Sequence, residues 1–189
     1  MSINIKNLSK SFGEKNVLNG INTEIQDGEV LAIMGASGCG KTTLLKIIAG
    51  IINPDGGDIF GVPKKLSMVF QEDRLSEEFS AVSNIKAVTG RSVSKSEIKS
   101  HLKQLGLENY TDTAVKNLSG GMQRRVSIAR AVLYRCDLVI MDEPFKGLDE
   151  ELKYSVMNYV KENTKDRTFI FVTHDKSEAE YMNAKILSL

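Results

Sequence analysis

The chain has only two cysteines, Cys39 and Cys136, in 189 residues. That is too few for a disulfide scaffold, so a reducing compartment is the default expectation. It also lacks a long apolar run. Val30–Met34, Leu138–Met141 and Phe169–Val172 are a handful of residues each, whereas a membrane-spanning helix needs roughly 20. The opening residues, Met1-Ser2-Ile3-Asn4-Ile5-Lys6, alternate apolar and polar and carry no apolar signal-peptide stretch. Work at a membrane would therefore need a partner that supplies the spanning part. Neither charge is in excess: 25 Lys and Arg against 24 Asp and Glu leave a formal net charge of +1. This balance argues against a strongly basic nucleic-acid surface or a polybasic membrane anchor. No internal repeat or low-complexity tract is visible. Hydrophobic residues make up 41%, enough for a true core, and the length suits one compact domain.

Apolar periodicity sets out the elements. Ile3, Ile5 and Leu8 suggest a first strand, with further strands at Val17-Leu18 and Ile21–Ile25. Asp27-Gly28 reads as a turn before Glu29–Met34, a run apolar enough for a strand buried on both faces. Lys41–Ala49 reads as a helix closed by Gly50, Asn53–Gly57 as a loop and Leu66–Phe70 as another strand. Ser94-Lys95-Ser96-Glu97 has capping-box spacing, and Ile98, Leu102 and Leu105 form a helical stripe ending at Gly106. A further helix is expected from Gly120 to Tyr134, strands at Leu138–Met141 and Thr168–Thr173, and a helix between them near Glu150–Asn163. The expected fold is α/β with a mixed sheet core, an antiparallel portion near the N-terminus and a helical lobe inserted between strands. A core of residues 1–71 and 136–189 would hold that lobe at 72–135.

Two motifs carry chemistry. Gly35-Ala36-Ser37-Gly38-Cys39-Gly40-Lys41-Thr42 follows a buried strand and opens a helix, the context of a phosphate-binding P-loop (Walker A). A polyphosphate must be wrapped by backbone N–H groups, which side chains would block, and the helix N-terminus adds free donors and partial positive charge. Lys41 would bring a full charge to the β/γ end, Thr42 a hydroxyl for Mg²⁺, and Thr43 a donor to the α-phosphate. Cys39 at a helix start invites a reactive-thiol reading, but a small residue filling a loop position is the simpler one. Leu138-Val139-Ile140-Met141-Asp142-Glu143-Pro144 places two carboxylates at a strand end, where successive residues face opposite sides. Asp142 would hold Mg²⁺ through water, and Glu143 would orient or deprotonate the water attacking the γ-phosphorus.

Leu118-Ser119-Gly120-Gly121-Met122-Gln123 resembles the signature motif of ATP-binding cassette (ABC) ATPases. The other parts follow the family order over nearly the whole chain: P-loop, Gln71, signature, Asp142-Glu143, Gly147-Leu148-Asp149, His174. The resemblance implies that Phe12 stacks on adenine, although tyrosine is more usual there. It implies that Gln71 contacts Mg²⁺ and the γ-phosphate and reports nucleotide state to the helical lobe. It places Asp149 at the contact between two subunits and gives His174 a hydrogen bond to the γ-phosphate. Ser119, Gly120 and Gly121 would face the ATP held by the opposite copy, so that a homodimer sandwiches two nucleotides. Lys146-Gly147 departs from the small residues usual in the subunit-contact loop.

The expectation is an ATPase energising uptake of a small solute through separate permease subunits, with a solute-binding protein in the complex. The chain would be cytoplasmic, held on the inner face of the membrane by the permease, with ATP and Mg²⁺ as its ligands and no nucleic acid. Gly121-Met122 and the stretch Val69-Phe70-Gln71-Glu72-Asp73-Arg74-Leu75 resemble importers of the nitrate/sulfonate/taurine group, and Glu77–Asn84 is the expected rim of the permease groove. An acidic exporter-type segment is absent from Tyr110–Asn117. The alternative is a soluble ABC ATPase acting on nucleic acid or the ribosome, against which stand the single P-loop and the short segment between Gln71 and Leu118. Related subunits usually continue well past His174, so a minimal cassette or a truncated product is expected, without a regulatory domain.

Overall fold

A computed structural model describes residues 2–189. Strand β1 (Ile3–Phe12) turns through Gly13-Glu14 into β2 (Lys15–Ile25). There follow β3 (Val30–Met34), α1 (Lys41–Ile48), β4 (Gly56–Phe60), β5 (Leu66–Val69), α2 (Ala81–Thr89), α3 (Lys95–Gln104), α4 (Gly120–Leu133), β6 (Leu138–Asp142), α5 (Glu150–Thr164), β7 (Thr168–Val172), α6 (Lys176–Tyr181) and β8 (Lys185–Ser188). The mixed character of the sheet is divided between two sheets. One is antiparallel, in the order β2-β1-β4, and the other is parallel, in the order β5-β6-β7-β3-β8.

Alternation along the parallel strands sorts the core. Leu31 and Ile33 of β3, Leu138 and Ile140 of β6, and Ile170 and Val172 of β7 face one way. They pack with Ile3, Ile5, Leu8, Leu18 and Ile25 of the antiparallel sheet and with Leu44, Leu45, Ile47 and Ile48 of α1. Ala32, Val139, Met141, Phe169 and Phe171 face the other way and pack with Val126, Ala129 and Val132 of α4 and Val156, Met157 and Val160 of α5. The same cluster continues through Val82 and Ile85 of α2 to Ile98 and Leu102 of α3. The helices between β5 and β6 thus share one continuous core with the sheet. Because the side-chain period of a strand is two, the parity of a residue number decides which layer it meets.

Several elements differ from the sequence reading. Val17-Leu18 and Ile21–Ile25 belong to one strand that shifts register against β1. Gly56 and Gly57, expected in a loop, begin β4. Glycine serves there for close approach and for a left-handed backbone: Gly57 has φ +78°, and a Cβ on it would lie 2.3 Å from the Asn7 carbonyl oxygen. Helix α2 occupies part of the stretch expected as a groove rim, capped by Ser80, whose hydroxyl accepts from the Ser83 N–H. The α3 cap is as the Ser94 spacing suggests, Ser94 accepting from the Glu97 N–H.

The segment leading into α2 is pinned by one buried side chain. Asn84, 3% exposed, donates to the carbonyls of Ser76, Phe79 and Ser80 and accepts from the Ser76 N–H at 2.8 Å. Replacing it leaves the Ser76 N–H without its partner, while the three carbonyls keep backbone bonds from Phe79, Val115 and residue 84. Asn84→Ala is expected to lower the unfolding free energy by about 1–3 kcal/mol, measured by urea denaturation. A loss below ~0.5 kcal/mol, the level of an ordinary surface substitution, would show that water takes over these bonds.

Candidate functional site

The parallel strands all end on one edge, and the loops leaving that edge line a cleft of about 420 Å³. Open α/β sheets bind ligands at such an edge. Phe12, Lys15, Val17, Ser37, Gly38, Gly40, Lys41, Thr42, Thr43, Gln71, Glu143, Lys146 and His174 form the lining. Of the residues singled out in the sequence, Gly35 and Cys39 sit in the same loop without lining the cleft. Ser119, Gly120 and Gly121 are not brought to it.

The loop between β3 and α1 has the features of an anion cradle. Helix α1 has no side-chain cap and no acidic residue in its first turn, so nothing of its own competes for an incoming anion. Lys41 is 6% exposed, and its ammonium donates to the Gly35 and Ala36 carbonyls at 3.0 and 2.8 Å. Those dipoles satisfy a buried charge that would otherwise be costly. Cys39 is half-buried, with its sulfur 3.9 Å from the Lys41 Nζ. Phe12 ends β1 at 53% exposed, with the Lys10 ammonium 5.5 Å from its ring centroid. One face of the cleft thus presents an exposed aromatic ring.

Strand parity explains the carboxylates. Asp142 shares the face of Leu138 and Ile140, toward α1, and it accepts a 2.7 Å hydrogen bond from the Thr42 hydroxyl. It is 2% exposed. Burial pushes its carboxyl above the ordinary range, the Thr42 bond opposes this, and the neighbouring Glu143 charge adds to the rise. Glu143 follows with φ +47°, in the left-handed region uncommon for a non-glycine residue. Its Oε1 lies 3.0 Å from the His174 Nε2, and its Oε2 accepts from the Lys146 ammonium at 2.6 Å. Burial pushes the Glu143 carboxyl up, but Lys146 and then His174 outweigh it and hold the group below its usual range. Behind Glu143, Phe145 is buried edge-on against Phe171, 6.1 Å between centroids, which anchors the loop.

The position of His174 is set from behind. Thr173 donates to Glu178 at 2.6 Å, Asp175 caps α6 through the Ser177 N–H, and Lys153 reaches both Asp175 and Glu178 at 2.9 and 3.4 Å. Among the described residues no group of three or more His, Cys, Asp or Glu side chains is placed to hold a metal ion by itself. The Thr42–Asp142 pair offers one hydroxyl and one carboxylate. That is the partial oxygen set on which a Mg²⁺ completed by substrate phosphates and water would sit.

Gln71, just beyond β5, points its backbone elsewhere. Arg124 of α4 donates to the Phe70 and Gln71 carbonyls at 2.7 and 2.6 Å, and Arg130 donates to those of Asp73 and Arg74 at 3.1 and 2.9 Å. At the head of α4, Ser119 accepts from the Met122 N–H at 3.3 Å, and a Cβ on Gly120 would meet nothing within 4 Å. This Ser119-capped helix start, opening with two glycines, is open to solvent, away from the cleft of its own chain. Asp149, expected at a subunit contact, caps α5 through the Leu152 N–H. Sequence reasoning missed Lys146 and Arg124 as site elements. The i,i+3 spacing of Glu143 and Lys146 was a usable signal, but nothing local marks Arg124.

The two sheets and their P-loop edge are the fold of an ABC-type P-loop ATPase. The family model described as ABC transporter matches residues 18–146, and the chain belongs to that family. It is 37% identical over 202 residues to the spermidine/putrescine import ATP-binding protein PotA of Fusobacterium nucleatum, covering 97% of this chain and 54% of that protein. It is 34% identical over 205 residues to the Fe(3+) ions import ATP-binding protein FbpC of the same organism, covering 98% and 55%. The chain thus spans about half the length of the curated relatives it matches. A dimeric structure of a bacterial ABC transporter cassette superimposes with TM-score 0.87 at 28% identity, covering 99% of this chain and 94% of that one. Among the described residues no helix is long and apolar enough to cross a membrane.

Gly40, the cap of α1, has φ +105°, and a Cβ there would lie 2.8 Å from the Val17 carbonyl oxygen. Gly40→Ala is expected to cost about 1–3 kcal/mol of stability through backbone strain, read by chemical denaturation. Unchanged stability would show that the loop can relax without that glycine.

Proposed function

We propose that the chain is the ATP-hydrolysing subunit of an importer, driving uptake of a small solute through separate permease subunits. The observation that carries this reading is the convergence of Lys41, Thr42, Asp142, Glu143 and His174 on one cleft edge. These residues are supplied by two parallel strand ends, those of β6 and β7, and by helix α1. In the reading, the loop N–H groups and Lys41 hold the β- and γ-phosphates of ATP, and Phe12 stacks on adenine. Thr42, Asp142 and Gln71 hold Mg²⁺, which would neutralise charge on the phosphate oxygens when bound. Glu143 accepts the proton of the attacking water, and His174 both orients Glu143 and reaches the γ-phosphate.

The exposed Ser119-Gly120-Gly121 start of α4 supports a second copy as partner. It offers an anion site with no lysine of its own, facing away from its own cleft. Two copies placed head to tail would complete each other's nucleotide sites, closing on ATP and opening after hydrolysis. The relatives are named for polyamine and iron import, which supports the importer class but not one substrate. The narrower nitrate/sulfonate/taurine resemblance rests on Met122 and the residues around Gln71 alone. A place on the inner face of the membrane follows from the proposed permease, together with a separate solute-binding protein.

Glu143→Gln is expected to keep nucleotide binding and to lower steady-state ATP hydrolysis by about 10²–10⁴-fold, the usual worth of general-base catalysis. Turnover at the normal rate would remove Glu143 from the chemistry. The Lys146 ammonium is the strongest influence holding the Glu143 carboxyl low. Lys146→Ala therefore raises that pKa, and the acid limb of the rate–pH profile moves to higher pH. An unmoved limb would mean that the group titrating there is not Glu143.

A further inference from the structure

The four carbonyls of Phe70, Gln71, Asp73 and Arg74 all accept from two arginines of one helix, Arg124 and Arg130 of α4. Ser127, on the same helix, adds a 3.3 Å bond to the Asp73 carbonyl. The segment is folded to present them: Arg74 has φ +45°, and its guanidinium lies over the Phe70 ring at 3.7 Å. Arg124 is the central member. Its two terminal nitrogens grip consecutive carbonyls, and one of them lies 3.1 Å from the Asp73 Oδ1, an ion-pair contact without hydrogen-bond geometry that leaves that buried oxygen without a hydrogen bond. The side chains of Arg124 and Asp73 are 11% and 18% exposed, so this is no loose surface pair. Gln71 meanwhile lines the nucleotide cleft. One residue therefore has its side chain at the cleft and its backbone locked to the helix that starts with Ser119-Gly120-Gly121.

We propose that Arg124 is a positioning residue for hydrolysis: its guanidinium fork makes Gln71 and the Ser119-Gly120-Gly121 start of α4 one mechanical unit. The proposal rests on the ATPase reading above. Gly120 to Arg124 spans only ~6 Å along the helix axis at about 1.5 Å per residue, so a shift of Gln71 is carried to the signature end with little slack. What one chain's cleft holds then sets where that chain offers its anion site to the second copy. The planar fork is the part that matters. Lysine keeps the charge but cannot hold two consecutive carbonyls at fixed angles.

The test is steady-state ATPase kinetics on the full chain with its permease, for Arg124→Gln, Gln71→Ala and the double variant. Arg124→Gln is expected to lower kcat about tenfold, within the range of coupling through a packed network, with KM for ATP changed less than about twofold. In the Gln71→Ala background the same substitution is expected to lower kcat little further, because the two act in series. Should Arg124→Gln fail to fold, Asp73→Asn, which loosens the guanidinium and spares the backbone acceptors, is expected to give a smaller fall in kcat with the same dependence on Gln71. A full tenfold loss that persists without Gln71, or a raised KM with kcat intact, overturns the inference. If Glu143→Gln abolishes turnover in that case, the ATPase reading stands while this one falls. Full turnover in Glu143→Gln takes both down.

Discussion

The hydrogen bond from Thr42 to Asp142, 2.7 Å long across 100 residues of sequence, is the contact on which the site depends. A carboxylate buried to 2% exposure is unfavourable unless partnered, and its partner is a hydroxyl on the first turn of α1. That pairing requires β6 to lie on the correct side of β3, with β7 between them. It also requires Asp142 to share the strand face that looks onto α1. A slip of one residue in β6 would turn Asp142 into the layer of α4 and α5 and send Met141 toward the phosphate loop. The apolar alternation Leu138, Ile140 against Val139, Met141 prevents that slip, because both layers are closed cores. The packing of the sheet thus places the charge.

Two adjacent carboxylates then acquire opposite electrostatic characters. Asp142 is pushed up by burial, while Glu143, one residue on, is held down by Lys146 and His174 against its own burial. Environments that drive neighbouring acids apart are how one scaffold assigns them different work. The left-handed backbone at Glu143 is part of the same device. It turns the side chain out of the strand's alternation and toward His174, and the buried Phe145 behind it fixes the turn. Lys146 is half of that environment, which gives the unusual residue of the 146–149 loop a physical role.

Much of this was legible in the order of residues. The P-loop spacing, the apolar run before Asp142 and the signature each state a local requirement: absent side chains, a buried strand, a capped helix. Those requirements survive in the structure because local preference and tertiary packing agree there. What escaped was decided by distant partners. Gly57 looks like a turn residue until Asn7 is seen beside it, and α2 has too little local signal without Asn84 holding its approach. Arg124 reads as one more charge on an amphipathic helix, and only the folded chain shows that its acceptors lie 53 and 54 residues earlier. Parity within a strand is readable from sequence, whereas the identity of the neighbouring strand is not.

The separation of the two anion-binding helix starts is the remaining constraint. The start of α1 is lined by Lys41 and faces the cleft, while the start of α4 is capped by Ser119, opens with two glycines and faces outward. A chain working alone would keep the second exposed, without a counter-charge and without use of the glycines that hold it open. In the proposed head-to-tail pair each such end meets the phosphate of the other copy, and the weak donor set becomes an advantage. With no lysine there, affinity for phosphate in isolation is low, so the contact forms only when the partner's cleft already presents a charged, oriented γ-phosphate. Contact between copies then depends on the nucleotide itself, and its loss on hydrolysis follows from removing the one group that both helix starts share.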